Sequence, residues 1–307
     1  MGREKTYEEL TFADNYMFCK ILSTNKDLCK ALIELLLDIK VKDISYPVYE
    51  KTIEGLGDSH GIRLDVYVDD DCGTVYDLEM QTTLSWDLGK RSRYYQDMID
   101  MDLLEKGKKY KELNKTYIVF ICLTDPFDRG LARYVFRNTC IQDSSLELGD
   151  ESDKVFINAN GSRDNISDEL ASFLDMLRGI APAKDSLAEN IEKAVLTAKQ
   201  YNRWKEEYKS MINWADELAD RVREEAKAEG LAEGRAEGLA EGKAEGRAEG
   251  RAEGRTEGFT MGLEKGRAEG EKAKAIAIAR SLKALGLPAD QIAQATGLAI
   301  EEIQAIG

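Results

Sequence analysis

Arg63-Leu64-Asp65-Val66-Tyr67-Val68 and Thr74-Val75-Tyr76-Asp77-Leu78-Glu79-Met80-Gln81 stand on either side of Asp69-Asp70-Asp71-Cys72-Gly73. Two runs rich in β-branched and aromatic residues around a short Asp/Gly connection spell a β-hairpin. Side chains alternate faces along a strand. Leu64, Val66 and Val68 are therefore expected on one face of the first strand, with Asp65 and Tyr67 on the other. In the second strand Tyr76, Leu78 and Met80 share a face, leaving Val75, Asp77, Glu79 and Gln81 opposite. A connection centred near Cys72 sets Asp65 directly across from Glu79. Two carboxylates then converge with an amide two residues along, which calls for either a cation or a raised pKa.

Working outward, residues 12–38 read as two helices, with apolar residues at helical spacing from Phe12 to Leu22 and from Leu28 to Leu36. Residues 43–54 read as a strand whose Pro47 favours a sheet edge. After the hairpin, residues 88–105 form a helix carrying Arg91, Tyr94 and Tyr95, and Lys106-Gly107 closes it. Thr116–Leu123 is nearly all apolar, as a strand buried on both faces should be. Further strands are expected at 132–141 and 154–159, then a helix from the Ser167 cap and helical pattern from about Lys184 to Arg223. The order is that of an α/β core with an α-helical extension.

From Gly230 to Gly270 glycine falls on every fourth residue, eleven in all, within an Ala-Glu-Gly-Arg/Leu/Lys pattern. Eleven glycines weaken a helix by roughly 10 kcal/mol relative to alanine, and like charges recur at i,i+4. A lone helix is marginal, so the segment reads either as a flexible spacer or as a helix that self-associates into a homo-oligomer. Residues 271–307 read as three short helices (271–285, 289–295, 299–306) with spacing similar to a helix-turn-helix. The candidate recognition helix offers Glu301, Glu302 and Gln304 and no cation, a poor surface for phosphates.

The 307 residues carry a net charge of −15, nearly all of it in the first 220 positions. A generic polyanion binder would be basic. Five cysteines scattered singly read as reduced thiols of a cytoplasmic protein, and the single His60 excludes a histidine-rich metal site. There is no apolar run of membrane-spanning length and no apolar leader after Met1. The triple aspartate 69–71 lacks the spaced ligands of a calcium loop and reads as turn chemistry. Asp65 and Glu79 remain, a hard oxygen pair suited to Mg²⁺ or Mn²⁺, which could activate water against a scissile phosphate. Gln81, on the same face, could orient that water or contact phosphate.

Thr11-Phe12-Ala13-Asp14-Asn15-Tyr16-Met17-Phe18, Leu64-Asp65-Val66-Tyr67-Val68, Asp77-Leu78-Glu79-Met80-Gln81 and Arg91-x-x-Tyr94-Tyr95 together carry a resemblance. They are similar to the PD-(D/E)XK nuclease superfamily, and within it to the recombination-promoting nuclease, or transposase, family, over about residues 8–165. The resemblance implies a restriction-endonuclease-like αβββαβ core and metal-dependent endonuclease activity on DNA, linked to recombination or mobile elements. It implies Asp65 and Glu79 as metal ligands, Asp14 as an accessory acid, and Arg91 and Tyr95 as phosphate contacts. Gln81 stands where the superfamily usually has lysine. The expected organisation is a nuclease-like domain over 1–165, a helical extension over 166–228, the tetrad repeat over 229–270 and a small helical unit over 271–307. Two rival readings are a non-catalytic oligomeric DNA-associated scaffold and a helix-turn-helix regulator.

Overall fold

The computed structural model describes residues 5–55 and 60–307. Two helices, α1 (Asn15–Thr24) and α2 (Lys26–Leu37), precede three strands, β1 (Val48–Ile53), β2 (Ile62–Asp69) and β3 (Val75–Gln81). Helix α3 (Leu88–Leu103) crosses to β4 (Thr116–Cys122), followed by β5 (Arg133–Phe136) and β6 (Ser152–Asn158). Helices α4 (Asp168–Leu177) and α5 (Leu187–Ala198) lead into α6 (Asn202–Ala284), then α7 (Ala289–Thr296) and α8 (Ile300–Ala305).

The strands form one six-stranded mixed sheet in the order β1-β2-β3-β4-β6-β5. β1, β2 and β3 run antiparallel, whereas β3, β4 and β6 are parallel, as the α3 crossover requires. Every residue of β3 and β4 is buried, in keeping with their central place. One face packs Val66, Val68, Leu78, Met80, Val119 and Ile121 against α1, α2, α4 and α5. The other packs Leu64, Tyr67, Val75, Ile118 and Phe120 against Leu88, Met98 and Ile99 of α3. Gly161, just past β6, lies so close to β5 that an added Cβ would come within 2.4 Å of Ala132 Cα.

The expected face assignment of β2 needs one correction. Leu64 lies with Ile62 and Tyr67 on the α3 face, opposite Val66 and Val68, so the strand changes phase at Asp65. Its neighbour β1 does the same. Tyr49 pairs with Val66 and Lys51 with Leu64, and between them Glu50 takes φ +51°. That left-handed turn, uncommon for a residue with a Cβ, interrupts the alternation in both strands at once. β2 pairs with β3 only from Val66 to Asp69, leaving Asp65 at the fork where the two strands part.

The chain divides into two compact units that meet between Ala215 and Asp216. Residues beyond 165 share the core of the first unit: Phe173 and Leu174 of α4 and Ile191 of α5 are fully buried in it, and Tyr7 Oη donates to the Ala198 carbonyl at 2.8 Å. In the second unit the repeat is helical throughout, all of its side chains are exposed, and a Cβ at any of its glycines would meet open space. The first of the three expected terminal helices is the end of α6 itself; its Ala279 packs with Ile292, Leu298, Ile303 and Ile306. No helix among the described residues is long and apolar enough to cross a membrane.

Candidate metal and phosphate site

The fork between β2 and β3 is closed by side chains instead of backbone pairs. Asp65 N–H donates to Glu79 Oε1 at 2.9 Å, and Met80 N–H donates to Asp65 Oδ2 at 3.0 Å. The other Asp65 oxygen accepts from Asn15 Nδ2, also at 3.0 Å, and the Cys19 thiol donates to the Asp65 carbonyl. The first two turns of α1 thus hold Asp65 from the far side of the sheet. Glu79 Oε2 accepts from Arg91 Nη2 at 2.9 Å, and Gln81 Oε1 from Arg91 Nη1 at 3.0 Å. Arg91 Nε donates to Tyr95 Oη, one helical turn on, and the guanidinium lies 5.0 Å from the Phe120 ring centroid. A planar fork with three donors used in three directions is a fixed cation.

Asp77 is the third carboxylate on this strand face. It is fully buried, and neither of its oxygens has a hydrogen-bond partner among the described residues. Burial, then the charges of Glu79 and Asp65, hold its carboxyl well above the usual carboxylate range. Glu79 is pushed up to about 7, first by burial and then by Asp65, against the pull of the Asp65 N–H and Arg91. Burial also raises Asp65, with the Met80 N–H and Asn15 opposing. Three carboxylates face a single guanidinium. Either protons or a further cation must offset the excess negative charge. The donors are all hard oxygens, and the two orphaned ones are those of Asp77, beside the bonded Asp65 and Glu79, so the donor chemistry suits a hard divalent cation.

The structure brings together Asp65, Glu79, Gln81, Arg91 and Tyr95. Asp14 lies outside this cluster. Its carboxylate accepts from Thr11 N–H at 2.7 Å and pairs with Lys5 at 2.6 Å, and no hydrogen bond or ion pair joins it to Asp65 among the described residues. Asn15, one residue on, makes the contact instead; its only signal in the sequence was its place in the Thr11–Phe18 run. Both polar atoms of the Gln81 amide are engaged, since Nε2 donates to the Thr83 carbonyl at 2.7 Å. His60 contributes its backbone carbonyl to Tyr94 Oη. Asp70 ties the β2–β3 turn through Cys72 N–H, Thr74 N–H and Tyr76 Oη, so its carboxylate is used within the turn.

No curated protein and no solved structure matches the chain. One family model does, over residues 12–221, more than half of the length. That span takes in the whole sheet, the Asp65–Glu79 fork and the packed helices after it. The chain therefore belongs to the PD-(D/E)XK nuclease family transposases.

Proposed function

We propose that this chain is a metal-dependent DNA endonuclease, hydrolysing phosphodiester bonds at the Asp65–Glu79 fork of a restriction-endonuclease-like core. The observation that carries the reading is the excess of buried carboxylate over cation at that fork. Asp65 and Glu79 would hold Mg²⁺ or Mn²⁺. Such an ion, when bound, supplies an acidified water and stabilises charge on a scissile phosphate. With their charge offset in this way, Asp65 and Glu79 would no longer repel the phosphates of DNA.

The chain's own residues do the rest. Glu79 must shed its proton before it can serve as a ligand, and Arg91 favours that ionised form. Arg91 presents a permanent positive charge beside Glu79, where a phosphate oxygen can be neutralised. Gln81 fixes the position of that guanidinium through its Oε1; with no titratable group it carries no proton. Tyr95 holds the third edge of the fork. Asn15 keeps the Asp65 carboxylate turned toward β3.

A plasmid-nicking assay tests this, with Mg²⁺ or Mn²⁺ against a chelator, for wild type, Asp65→Ala and Glu79→Ala. Metal-dependent nicking by wild type alone supports the reading. Equal activity in all three removes these residues from the chemistry, and no nicking under either metal removes the nuclease.

A further inference from the structure

Two strands along from the carboxylates, on the α3 face, the sheet and α3 border a half-open cavity of about 410 Å³, within the range of small-ligand sites. Phe127, Phe136 and Phe156 form its apolar wall, and Arg93, Arg137 and Lys154 supply cations. Among the described residues no acidic side chain lines it, in a chain whose net charge is −15.

The three rings meet with centroids 5.0 to 5.7 Å apart, mostly edge to face. Phe156 is buried, but Phe136, although it packs on Phe127 and Phe156, is 45% exposed. Arg137 is held by Asp153 and Glu147. Arg93 has no hydrogen bond or ion pair among the described residues. Lys154 is half-buried and, among the described residues, bonds only to Ser152. Asp100, Asp150, Asp153 and Asp97 act on it from the surroundings, none within ion-pair reach, and burial lowers its pKa.

The cavity is joined to the carboxylate cluster by stacked groups. Arg91 lies over Phe120, which stacks on Phe156 with centroids 5.5 Å apart and planes 10° from parallel. From β3 through β4 to β6 is two inter-strand steps, roughly 10 Å, the reach of one or two nucleotides.

An exposed ring beside two cations that stand outside any ion pair among the described residues is the chemistry that takes a nucleotide, base on ring and phosphate on cation. We propose that this cavity receives an unpaired nucleotide of the substrate strand, the base against Phe136 and its phosphate on Arg93 and Lys154. In duplex DNA both faces of each base are covered by its neighbours, so only an unstacked base can use the ring. The substrate class is then DNA with a single-stranded or unpaired segment next to the cut. This rests on the nuclease reading above.

The test is fluorescence polarisation of the full-length protein in chelator, with a labelled oligothymidylate and a duplex of equal length. Wild type binds the single strand more tightly than the duplex. Phe136→Ala and Phe136→Leu weaken single-strand binding about tenfold, while Phe136→Tyr restores it and duplex binding is unchanged. Arg93→Gln lowers the slope of log affinity against log salt by about 0.7. Single-strand affinity that is the same in wild type and both Phe136 variants overturns the proposal, as does tighter binding of the duplex. If wild type nicks DNA yet the Phe136 variants bind normally, the cavity assignment fails alone. If the Phe136 dependence holds while no metal supports nicking, the nuclease reading fails and the nucleotide site stands.

Discussion

The backbone N–H of Asp65 is bonded to the carboxylate of Glu79, and the Asp65 carboxylate in turn takes the N–H of Met80. Each acid completes the other strand's broken ladder. Glu79→Gln preserves the oxygen that accepts from Asp65 and removes one buried charge. Nicking should fall at least about a hundredfold, since a charged ligand has been lost. The melting temperature should change little, because relieved repulsion with Asp65 and Asp77 offsets the bond from Arg91 that the new amide N–H cannot accept. Parallel nicking and thermal-denaturation measurements check both halves.

Arg91 is the only cation in contact with these carboxylates among the described residues. Arg91→Gln leaves Glu79 buried with no charged partner and should destabilise the fold by about 1–3 kcal/mol. Arg91→Lys keeps the charge but cannot bond Glu79, Gln81 and Tyr95 together, so it should recover part of the stability and little of the activity. Urea denaturation alongside the nicking assay separates the two contributions.

In chelator, the pH dependence of stability has a definite sign. Glu79 rises from an ordinary 4.5 to about 7 on folding. Its stabilising contribution is complete below pH 4.5 and is lost as pH climbs through 7. Asp77, raised for the same reason, extends the loss. Melting temperature should therefore decline across that window in the wild type and be flatter in Glu79→Gln. Calorimetry over a pH series reads it directly.

The repeat glycines offer a gain in stability. A Cβ at Gly238, Gly246 or Gly254 meets nothing within 4 Å, and alanine in a helix interior is favoured over glycine by about 1 kcal/mol per site. The triple alanine variant should show more helical circular dichroism on warming, with nicking unchanged.

Gly161 behaves oppositely. Its hydrogen would be replaced by a carbon 2.4 Å from Ala132 Cα and 2.5 Å from the Leu131 carbonyl oxygen, both backbone atoms. Gly161→Ala should cost about 1–3 kcal/mol, seen as a lower denaturation midpoint.

Much of this architecture was legible in the residues. The alternation around Cys72 located the hairpin, and the unbroken apolar run from Tyr117 to Leu123 located the central strand. Pro47 pointed to the sheet edge where β1 lies. What could not be read was the phase change at Asp65. Leu64, Val66 and Val68 are three apolar residues at every second position, and nothing in their chemistry says that one faces the other way. That change sits beside the left-handed backbone of Glu50 on the neighbouring strand, a residue type that gives no sign of such a φ. The Arg91–Tyr95 neighbourhood follows from helical spacing, but its reach to Glu79 depends on how the β3–α3–β4 crossover docks. The repeat was undecidable from propensity, because glycine weakens a helix without forbidding it. Asp14 and Asn15 show the limit most plainly: adjacent in sequence, they point to different partners.

The left-handed turn at Glu50 makes the fork hostage to a position that supplies none of its ligands. A saturation library screened for nicking should tolerate glycine and asparagine there and reject valine, isoleucine and proline. Such a profile, sorted by backbone freedom and indifferent to charge, would look like a functional residue in a mutational map. It would instead mark the hinge that turns one edge of the sheet over so that an aspartate can face a glutamate.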